Sequence, residues 1–306
     1  MKIVFMGTPE IAVPTLDKLL KNGMSVSLVV CQPDKPKGRG NKLQPPPVKE
    51  YAIANNLEVF QPEKIKNNTD AIEKIKSHSP DFIVVAAYGK ILPKELLEIP
   101  KYAPVNVHFS LLPKYRGAAP VNWAIINGES ETGVTTMKMD EGLDTGDILL
   151  VRKEPISPED TTVTLSERLA EIGGDLLVET LKNYSNITPK PQDHSNFTYA
   201  PIIKKEDGKI DFKKPAIIIE RMIRGFTPWP TAYSHFKGKM VKFFSASVSD
   251  KKGEAGTIIE VNKDSFTVAC GEGALRILEL QFEGKNRMDT KSFLSGFKVN
   301  IGEIFE

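Results

Sequence analysis

The chain has 306 residues, of which 40% are hydrophobic and 26% are charged, and its formal net charge is +2. This composition is that of an ordinary globular protein and excludes an intrinsically disordered chain, and two cysteines exclude a disulfide-rich scaffold. No apolar run approaches the ~20 residues that a membrane-spanning helix needs. From the length we expect two domains.

The cysteines and the first residues bear on the cellular compartment. Cys31 and Cys270 fit neither a metal-ligand spacing nor a disulfide framework, which favours a reducing cytosol. Residues 1–7 already have the apolar pattern of a strand, so we expect no secretory signal peptide. The sequence therefore predicts a cytoplasmic protein with no membrane partner and no metal site.

Strand and helix patterns alternate in the first half of the chain. Short apolar runs at residues 2–6, 26–31, 57–60, 82–87 and 105–109 predict strands, and helical stretches such as 9–20 and 71–77 separate them. This alternation predicts an α/β domain, with a Rossmann-like, mainly parallel sheet and helices on both faces. Ligands of such sheets bind beyond the carboxyl ends of the strands. Dinucleotide binding is disfavoured, because Gly-x-Gly-x-x-Gly is absent after the first strand.

A basic insertion interrupts the alternation at residues 34–42 and contains Lys35, Lys37, Arg39 and Lys42. A run of charge is usually a solvated surface loop. A loop this long inside a compact α/β domain is uncommon and often functional, and its basic side chains suit a phosphate backbone. The residues alone leave both interpretations open.

Residues 106–120 carry most of the chemically capable groups of the chain. Period-two alternation directs Asn106 and His108 to one face of a strand. An isolated Asn-x-His pair is more often a core histidine beside a turn residue, but that interpretation does not explain the apolar loop with Gly and Pro that follows. We expect a tight turn at residues 116–117 before a helix over 120–127.

Two motifs in this order resemble a known family. Asn106-Val107-His108-Phe109-Ser110-Leu111-Leu112-Pro113 resembles the Asn-x-His-x-Ser-Leu-Leu-Pro signature of the folate-dependent formyltransferases, which a Gly-rich turn follows. Residues 133–147 are similar to the second landmark of that family, whose first Asp after Gly-Leu is catalytic and corresponds to Asp144. The resemblance implies transfer of a formyl group from 10-formyltetrahydrofolate to an amine.

Asn106, His108 and Asp144 suit this chemistry, which passes through a tetrahedral intermediate carrying an oxyanion. The Asn amide can donate to the oxyanion, and the His can hold or relay the proton that must change nitrogen. A carboxylate beside the imidazole would fix its tautomer and favour its charged form. The sequence leaves open whether His108 acts first as an acid or as a base.

The resemblance also implies the walls of a folate pocket. Core packing explains residues 84–87, which read as a buried strand. In this family the turn after that strand and the loop after the catalytic strand surround the pterin. The folate-binding residues expected on this ground are Ser110, Leu111, Leu112, Pro113, Gly89, Lys90 and Leu92.

The composition changes after a helical pattern at residues 162–181, which we interpret as a packing helix. The following stretch is rich in Asn, Pro and Ser, and short strands beyond it predict a small β-barrel. We expect a catalytic domain over residues 1–189, a linker over 190–206 and an OB-like domain over 207–306, for which the family resemblance implies tRNA binding. From Lys204 onward there are 18 Lys and Arg against 14 Asp and Glu, a net charge of +4, which favours this part for contact with nucleic acid.

Residues 226–232, Phe-Thr-Pro-Trp-Pro-Thr-Ala, resemble the C-terminal domain of the methionyl-tRNA formyltransferases. In that family the basic loop contacts the acceptor end of tRNA, which implies initiator methionyl-tRNA and tetrahydrofolate as partners, and we expect a monomer. Two alternatives stay open: a folate-dependent formyltransferase acting on an amino sugar or a glycinamide ribonucleotide, and a non-catalytic RNA-binding protein on the same scaffold. We expect His78, His194 and His235 to have no partners and no role.

Overall fold

The computed structural model describes residues 1–37 and 42–306, apart from the side chains of Lys37 and Lys42. Arg39, one of the predicted tRNA contacts, lies outside the described residues. The chain folds into two units. The first unit holds Met1–Pro120, Glu131–Pro155 and Ser166–Pro201, and the second unit holds Val121–Ser130, Ile156–Leu165 and Ile202–Glu306.

The secondary structure follows the predicted patterns, with ends shifted by one or two residues in most elements. The strands are β1 (Lys2–Gly7), β2 (Ser25–Val30), β3 (Lys35–Lys37), β4 (Lys42–Gln44), β5 (Val59–Phe60), β6 (Phe82–Ala86), β7 (Ala103–His108), β8 (Arg116–Gly117), β9 (Glu131–Lys138), β10 (Ile148–Pro155), β11 (Tyr199–Ala200), β12 (Ala232–Phe236), β13 (Lys239–Ser249), β14 (Ile258–Val261), β15 (Phe266–Ala269), β16 (Ala274–Phe282) and β17 (Met288–Asp289). The helices are α1 (Val13–Lys21), α2 (Pro47–Ala54), α3 (Thr69–Ser77), α4 (Lys94–Leu97), α5 (Pro120–Ile126), α6 (Thr162–Lys182), α7 (Ala216–Gly225) and α8 (Thr290–Gly296), with 3₁₀ turns at Glu10–Ala12, Tyr184–Asn186 and Lys205–Gly208.

A seven-stranded sheet forms the centre of the first unit, in the order β10-β9-β7-β6-β1-β2-β5. The five strands from β7 to β5 in this order pair in parallel. β9 is antiparallel to β7, and β10 is antiparallel to β9. The predicted Rossmann-like, mainly parallel sheet is therefore confirmed.

Both faces of this sheet are covered, which explains the nearly continuous apolar sequence of its strands. Ile3, Val4, Phe5 and Met6 of β1 are all fully buried, although successive side chains point to opposite faces. Side chains of α3 and α4 pack in the core on the face of Val4 and Met6. On the opposite face α6 comes so close that a Cβ atom on its Gly173 would lie 3.0 Å from a methyl carbon of β7. Helices therefore cover both faces.

The second unit contains a six-stranded sheet with antiparallel pairs, in the order β12-β13-β16-β15-β14 and with β17 beside β16. The last residues of the chain join its two edges. Phe305 forms a bridge with Phe236 of β12, and Ile304 forms one with Thr257 just before β14. The predicted C-terminal β-domain is confirmed, and these bridges close its sheet around a core rich in Phe and Ile.

Two short earlier segments of the chain pack in the second unit. Asn122 of α5 and Thr162 at the start of α6 both donate to the carbonyl oxygen of Gly225 at the end of α7, at 2.8 and 2.6 Å. The chain thus passes through the second unit twice before residue 202. The domain boundaries expected at residues 189 and 206 stay a prediction.

Residues 116–117 do not form the tight turn that the sequence suggested. They form β8, which pairs in parallel with β11, Arg116 opposite Tyr199 and Gly117 opposite Ala200. The partner strand lies more than eighty residues later in the chain, so local turn chemistry does not reveal the pairing. In the part of the chain that the structure describes, no helix is both long and apolar enough to span a membrane.

Candidate active site

Asn106 and His108 lie at the carboxyl end of β7 and point to the face opposite α6. Val107 between them faces α6, as the alternation predicts. Asn106 is 7% exposed and His108 is 5% exposed, so neither is an ordinary surface side chain. Both therefore need polar partners inside the protein.

The loop between β9 and β10 brings Asp144 to these two side chains. Oδ2 of Asp144 lies 3.6 Å from Nδ1 of His108, and its Oδ1 accepts a long hydrogen bond of 3.4 Å from Nδ2 of Asn106. The backbone N–H of Gly117 donates to Oδ2 at 2.8 Å. The structure thus brings the three predicted catalytic residues together, and their roles stay predictions.

The second contact of His108 determines its tautomer. Nε2 lies 2.9 Å from the backbone carbonyl oxygen of Tyr115. A carbonyl oxygen only accepts, so Nε2 carries a proton in this arrangement, and Nδ1 facing Asp144 is the atom that gains or loses a second proton. The proton on Nε2 thus follows from the backbone carbonyl, and whether Asp144 also fixes the tautomer stays a prediction.

The backbone of Asp144 is left-handed, with φ at +53°. Asp tolerates this conformation better than most residues with a Cβ atom. The loop around it has little room: a Cβ atom on Gly146 would lie 1.8 Å from the carbonyl oxygen of Lys138, and one on Gly142 would lie 1.9 Å from Oγ1 of Thr145. The Gly-Leu-Asp-Thr-Gly sequence thus supplies glycines where the loop folds back on itself.

Sequence reasoning missed three polar residues behind Asp144. Arg116 and Gln192 are each 5% exposed, and Nη2 of Arg116 donates to Oε1 of Gln192 at 2.7 Å. The same Nη2 lies 3.2 Å from Nδ1 of His194. Gln192 lies 48 residues after Asp144, in the stretch expected to be a linker, and no motif surrounds it. The sequence therefore carries no signal that would find it.

The three remaining histidines all have partners, so the expectation of no partners is wrong. His194 contacts Arg116, Nε2 of His78 lies 3.7 Å from a carboxylate oxygen of Glu58, and the ring of His235 lies edge-on to that of Tyr233, with centres 6.1 Å apart. Arg116 and Glu58 lie 78 and 20 residues away in the sequence, so the polar context of His194 and His78 does not reveal them.

The predicted folate loop, residues 110–113, directly follows β7 and is held by β9. The hydroxyl of Thr135 donates to the carbonyl oxygen of Ser110 at 2.7 Å and accepts the N–H of Leu112 at 3.2 Å. The hydroxyl of Ser110 donates to the carbonyl oxygen of Lys114 at 2.7 Å. These contacts fix the shape of the loop from inside.

Gly89, Lys90 and Leu92 follow β6, which pairs with β7, so this turn and residues 110–113 leave the same edge of the sheet. Gly89 has φ at +82°, and its Cβ position meets no atom of the described chain within 4 Å beyond its own neighbours. The side chain of Leu92 packs in the core, and Lys90 donates to the carbonyl oxygen of Glu63. The backbone at Gly89 is therefore open to a ligand, and so is the side chain of Ile91, which is 72% exposed.

The basic insertion forms a short antiparallel pair, in which β3 and β4 flank residues 38–41. Lys35 is exposed. At the base of the pair, the carboxylate of Asp34 accepts from Nζ of Lys49 and from Nε2 of Gln61, both at 2.8 Å. The hydrogen bond from Lys49 lowers the pKa of Asp34. The one acidic side chain of the insertion is therefore already paired.

Within residues 1–37 and 42–306, no group of three or more His, Cys, Asp or Glu is arranged to hold a metal ion.

Comparison with known proteins places the chain in a family. The Formyl transferase family matches residues 1–181, and the Formyl transferase, C-terminal domain family matches residues 202–298. The chain is 51% identical to the methionyl-tRNA formyltransferase of Caldanaerobacter subterraneus, covering 100% of both chains, and 50% identical to that of Acetivibrio thermocellus, covering 99% of both. This chain belongs to the methionyl-tRNA formyltransferase family. The resemblance drawn from the two motifs is confirmed.

Solved structures share the formyltransferase fold. A sugar 3N-formyl transferase, WlaRD, superposes with a TM-score of 0.67 at 22% identity, over 94% of this chain and 99% of that one. HypX from Aquifex aeolicus in complex with tetrahydrofolic acid gives 0.66 at 19% identity, over 99% of this chain and 50% of that one. The methionyl-tRNA formyltransferase from Clostridium thermocellum gives 0.58 at 22% identity, over 83% and 96%. At these identities the similarity shows the fold alone.

Proposed function

We propose that this chain transfers a formyl group from 10-formyltetrahydrofolate to the amino group of methionine on initiator tRNA, giving N-formylmethionyl-tRNA for translation initiation. The main support for the proposal is that Asp144 contacts both Asn106 and His108 at the carboxyl end of β7. Relatives with about half of their residues identical over the whole chain bear the name of this activity. The proposed enzyme works as a monomer in the cytoplasm.

The reaction requires one proton to change nitrogen. The methionine nitrogen attacks the formyl carbon and loses a proton, the bond between that carbon and N10 of the folate breaks, and N10 receives a proton. No covalent link to the protein forms, because the substrate amine is the nucleophile.

Asn106 stabilises the charge that develops on the formyl oxygen. Its amide nitrogen carries two hydrogens, and the bond to Asp144 uses one, which leaves one N–H for the oxyanion. Losing such a donor costs other enzymes on the order of 3 kcal/mol of barrier.

His108 carries the proton between the two nitrogens. Its Nε2 is committed to the carbonyl oxygen of Tyr115, so Nδ1 is the atom that exchanges the proton. The carboxylate of Asp144, 3.6 Å from Nδ1, stabilises the imidazolium while it exists.

The folate binds between residues 89–92 and residues 110–113. The open backbone at Gly89 fits close approach of a flat heterocycle, since no atom of the described residues beyond its chain neighbours lies within 4 Å of its Cβ position. Leu111, Leu112 and Pro113 supply the apolar wall, in a loop that Thr135 holds in place.

The basic insertion binds the acceptor arm of the tRNA. The fixed fork of the Arg39 guanidinium suits bidentate contacts better than the point charge of lysine, and Gly38 and Gly40 allow close approach. Arg39→Ala is expected to lower transfer to tRNA strongly, and Arg39→Lys to recover only part of it, with folate affinity unchanged in both. Parent-like transfer by Arg39→Ala would make the insertion an ordinary surface loop.

The test is a formyl-transfer assay that compares methionyl initiator tRNA, uncharged tRNA and small amines, among them an amino sugar. Transfer to the charged tRNA alone is expected. Transfer to small amines only would contradict the proposal and favour an amino-sugar or ribonucleotide formyltransferase. Binding of tRNA without any transfer would favour a non-catalytic RNA-binding protein.

A further inference from the structure

Gln192 contacts the backbone of the loop that carries Asp144. Its Nε2 atom donates to the carbonyl oxygen of Asp144 at 2.9 Å and to that of Gly146 at 2.7 Å. We propose that Gln192 is a positioning residue, which keeps Asp144 in its left-handed conformation and its carboxylate directed at His108. This inference rests on the proposed function, because it assumes that Asp144 and His108 act in formyl transfer.

Arg116 determines which way the amide of Gln192 points. Nε and Nη2 of Arg116 lie 3.1 and 2.7 Å from Oε1 of Gln192. A guanidinium only donates, so the amide oxygen faces Arg116 and the NH₂ group faces the two carbonyl oxygens. Both hydrogens of the NH₂ group therefore bond to the loop that carries Asp144, one to each carbonyl oxygen.

Arg116 is itself held in place on several sides. It lies in β8, which pairs with β11, and its guanidinium lies 5.2 Å from the centre of the Phe197 ring and 3.2 Å from Nδ1 of His194. The next residue, Gly117, donates its N–H to Oδ2 of Asp144. Both ends of Asp144 are therefore tied to β8: the carboxylate through Gly117, and the carbonyl group through Gln192 and Arg116.

The need for such a support follows from the backbone of Asp144. A left-handed residue with a Cβ atom persists only where its surroundings hold it. Without the NH₂ group of Gln192, the carbonyl oxygens of Asp144 and Gly146 lose their donor. Rotation of the loop toward negative φ relieves both the left-handed backbone of Asp144 and the loss of that donor. That rotation turns the carboxylate away from His108, and a displacement of about 1 Å at a reacting group can cost ~100-fold in rate.

Two substitutions separate positioning from simple stability. Gln192→Glu keeps the acceptor for Arg116 but has no donor when ionised, and Gln192→Met keeps the approximate volume without either. In the full-length enzyme we expect kcat to fall ~100-fold and KM for 10-formyltetrahydrofolate to stay within ~2-fold of the parent. Amide hydrogen exchange at Gly117 is expected to speed up, because its acceptor moves. The matched control Asn122→Asp removes an amide donor from the carbonyl oxygen of Gly225, and we expect kcat to stay at the parent value.

The outcomes distinguish this inference from the proposed function. A Gln192→Glu enzyme with the kcat of the parent, or with a raised KM and unchanged kcat, would overturn the inference while formyl transfer by the parent stands. A parent chain that formylates no amine would overturn the proposed function and the inference with it. If Gln192→Glu does not fold, Gln192→Met decides the matter by the same kcat, KM and exchange measurements.

Discussion

Asn106, His108 and Asp144 share contacts within one small volume, so each depends on the others. Asp144 contacts both of the other side chains. From its place at the end of β7, His108 also contacts the carbonyl oxygen of Tyr115 through Nε2. Residues that act as a unit give strongly non-additive losses when they are replaced.

We therefore expect His108→Ala to lower kcat by ~100-fold to ~10,000-fold, because proton movement is lost, with folate affinity and folding largely kept. Adding Asp144→Ala to His108→Ala should cost little more. Single-turnover formyl transfer by the two single variants and the double variant measures this. A His108→Ala enzyme with near-parent turnover, or a double variant in which the two single losses are fully additive, would contradict the assigned roles.

Gly117 is a second residue with a specific expected effect. Its φ is +116°, and a Cβ atom there would lie 2.6 Å from the carbonyl oxygen of Ala200 and 2.8 Å from the Tyr199 ring. Gly117→Ala must therefore push β8 away from β11 and move the N–H that Asp144 accepts. We expect kcat to fall on the order of 10-fold to 100-fold.

Gly23→Ala is the matched control for this substitution. Gly23 also has a positive φ, +71°, but its Cβ position meets no atom of the described chain within 4 Å beyond its neighbours. It should lose about 1 kcal/mol of unfolding free energy and no kcat. Steady-state kinetics and urea unfolding of both variants give the comparison, and equal kinetic losses would remove the β8 argument.

At the scale of elements, the sequence predicted what periodicity and local chemistry determine. The parallel strands were visible because burial on both faces makes them continuously apolar, and Asn106 and His108 were found because alternation places them on one face. Pairings between distant segments were not visible: β8 with β11, and the tail with β12. Gln192 was missed for the same reason, since its function depends on carbonyl groups 46 and 48 residues away.

The last residues of the chain, 300–306, form a segment whose contribution to stability depends on pH. The carboxylate of Glu303 accepts from Nζ of Lys237 at 2.8 Å and from the N–H and side-chain amide of Asn300, each at 3.0 Å. The hydrogen bond from Lys237 leads these contacts in lowering the pKa of Glu303 to about 2. A carboxyl group with a lowered folded-state pKa stabilises the fold above its unfolded value of 4.5, and this contribution is lost as the pH falls from there toward 2.

We expect this contribution to be on the order of 1 kcal/mol, because the ion pair is partly solvated. Glu303→Gln should lower the unfolding free energy at pH 7 by that amount and flatten its decrease below pH 4.5. Trp123 and Trp229 both lie in the second unit, so tryptophan fluorescence during urea unfolding reports on it directly. Glu254→Gln is the control, since the exposed Glu254 side chain forms no ion pair among the described residues. An unchanged pH profile for Glu303→Gln would contradict the argument.

At the scale of the whole molecule, the proposed chemistry and the C-terminal β-domain occupy different units. Every contact of Asn106, His108, Asp144 and Gln192 described above lies within the first unit. The second unit, however, also contains α5: the Trp123 ring lies 6.2 Å from the Phe226 ring, and a Cβ atom on Gly225 would lie 2.4 Å from Cγ1 of Ile126. Removal of residues 202–306 therefore leaves the reacting groups in place but exposes one face of α5.

Two truncated chains test which functions depend on the second unit. A fragment of residues 1–201 should bind folate nearly as well as the whole chain, because the expected pocket residues are all present, but it should unfold more easily because α5 loses its packing partners. Its tRNA affinity should fall, with a weaker salt dependence, because the +4 net charge from Lys204 onward is gone.

A fragment of residues 1–189 should in addition lose the orientation of Asp144, since it lacks Gln192 and β11. Folate calorimetry, filter binding of initiator tRNA at two salt concentrations, and steady-state formyl transfer test the three chains side by side. Equal tRNA affinity for residues 1–201 and the whole chain would remove the β-domain from tRNA binding, and equal kcat for the two fragments would remove residues 190–201 from support of the active site.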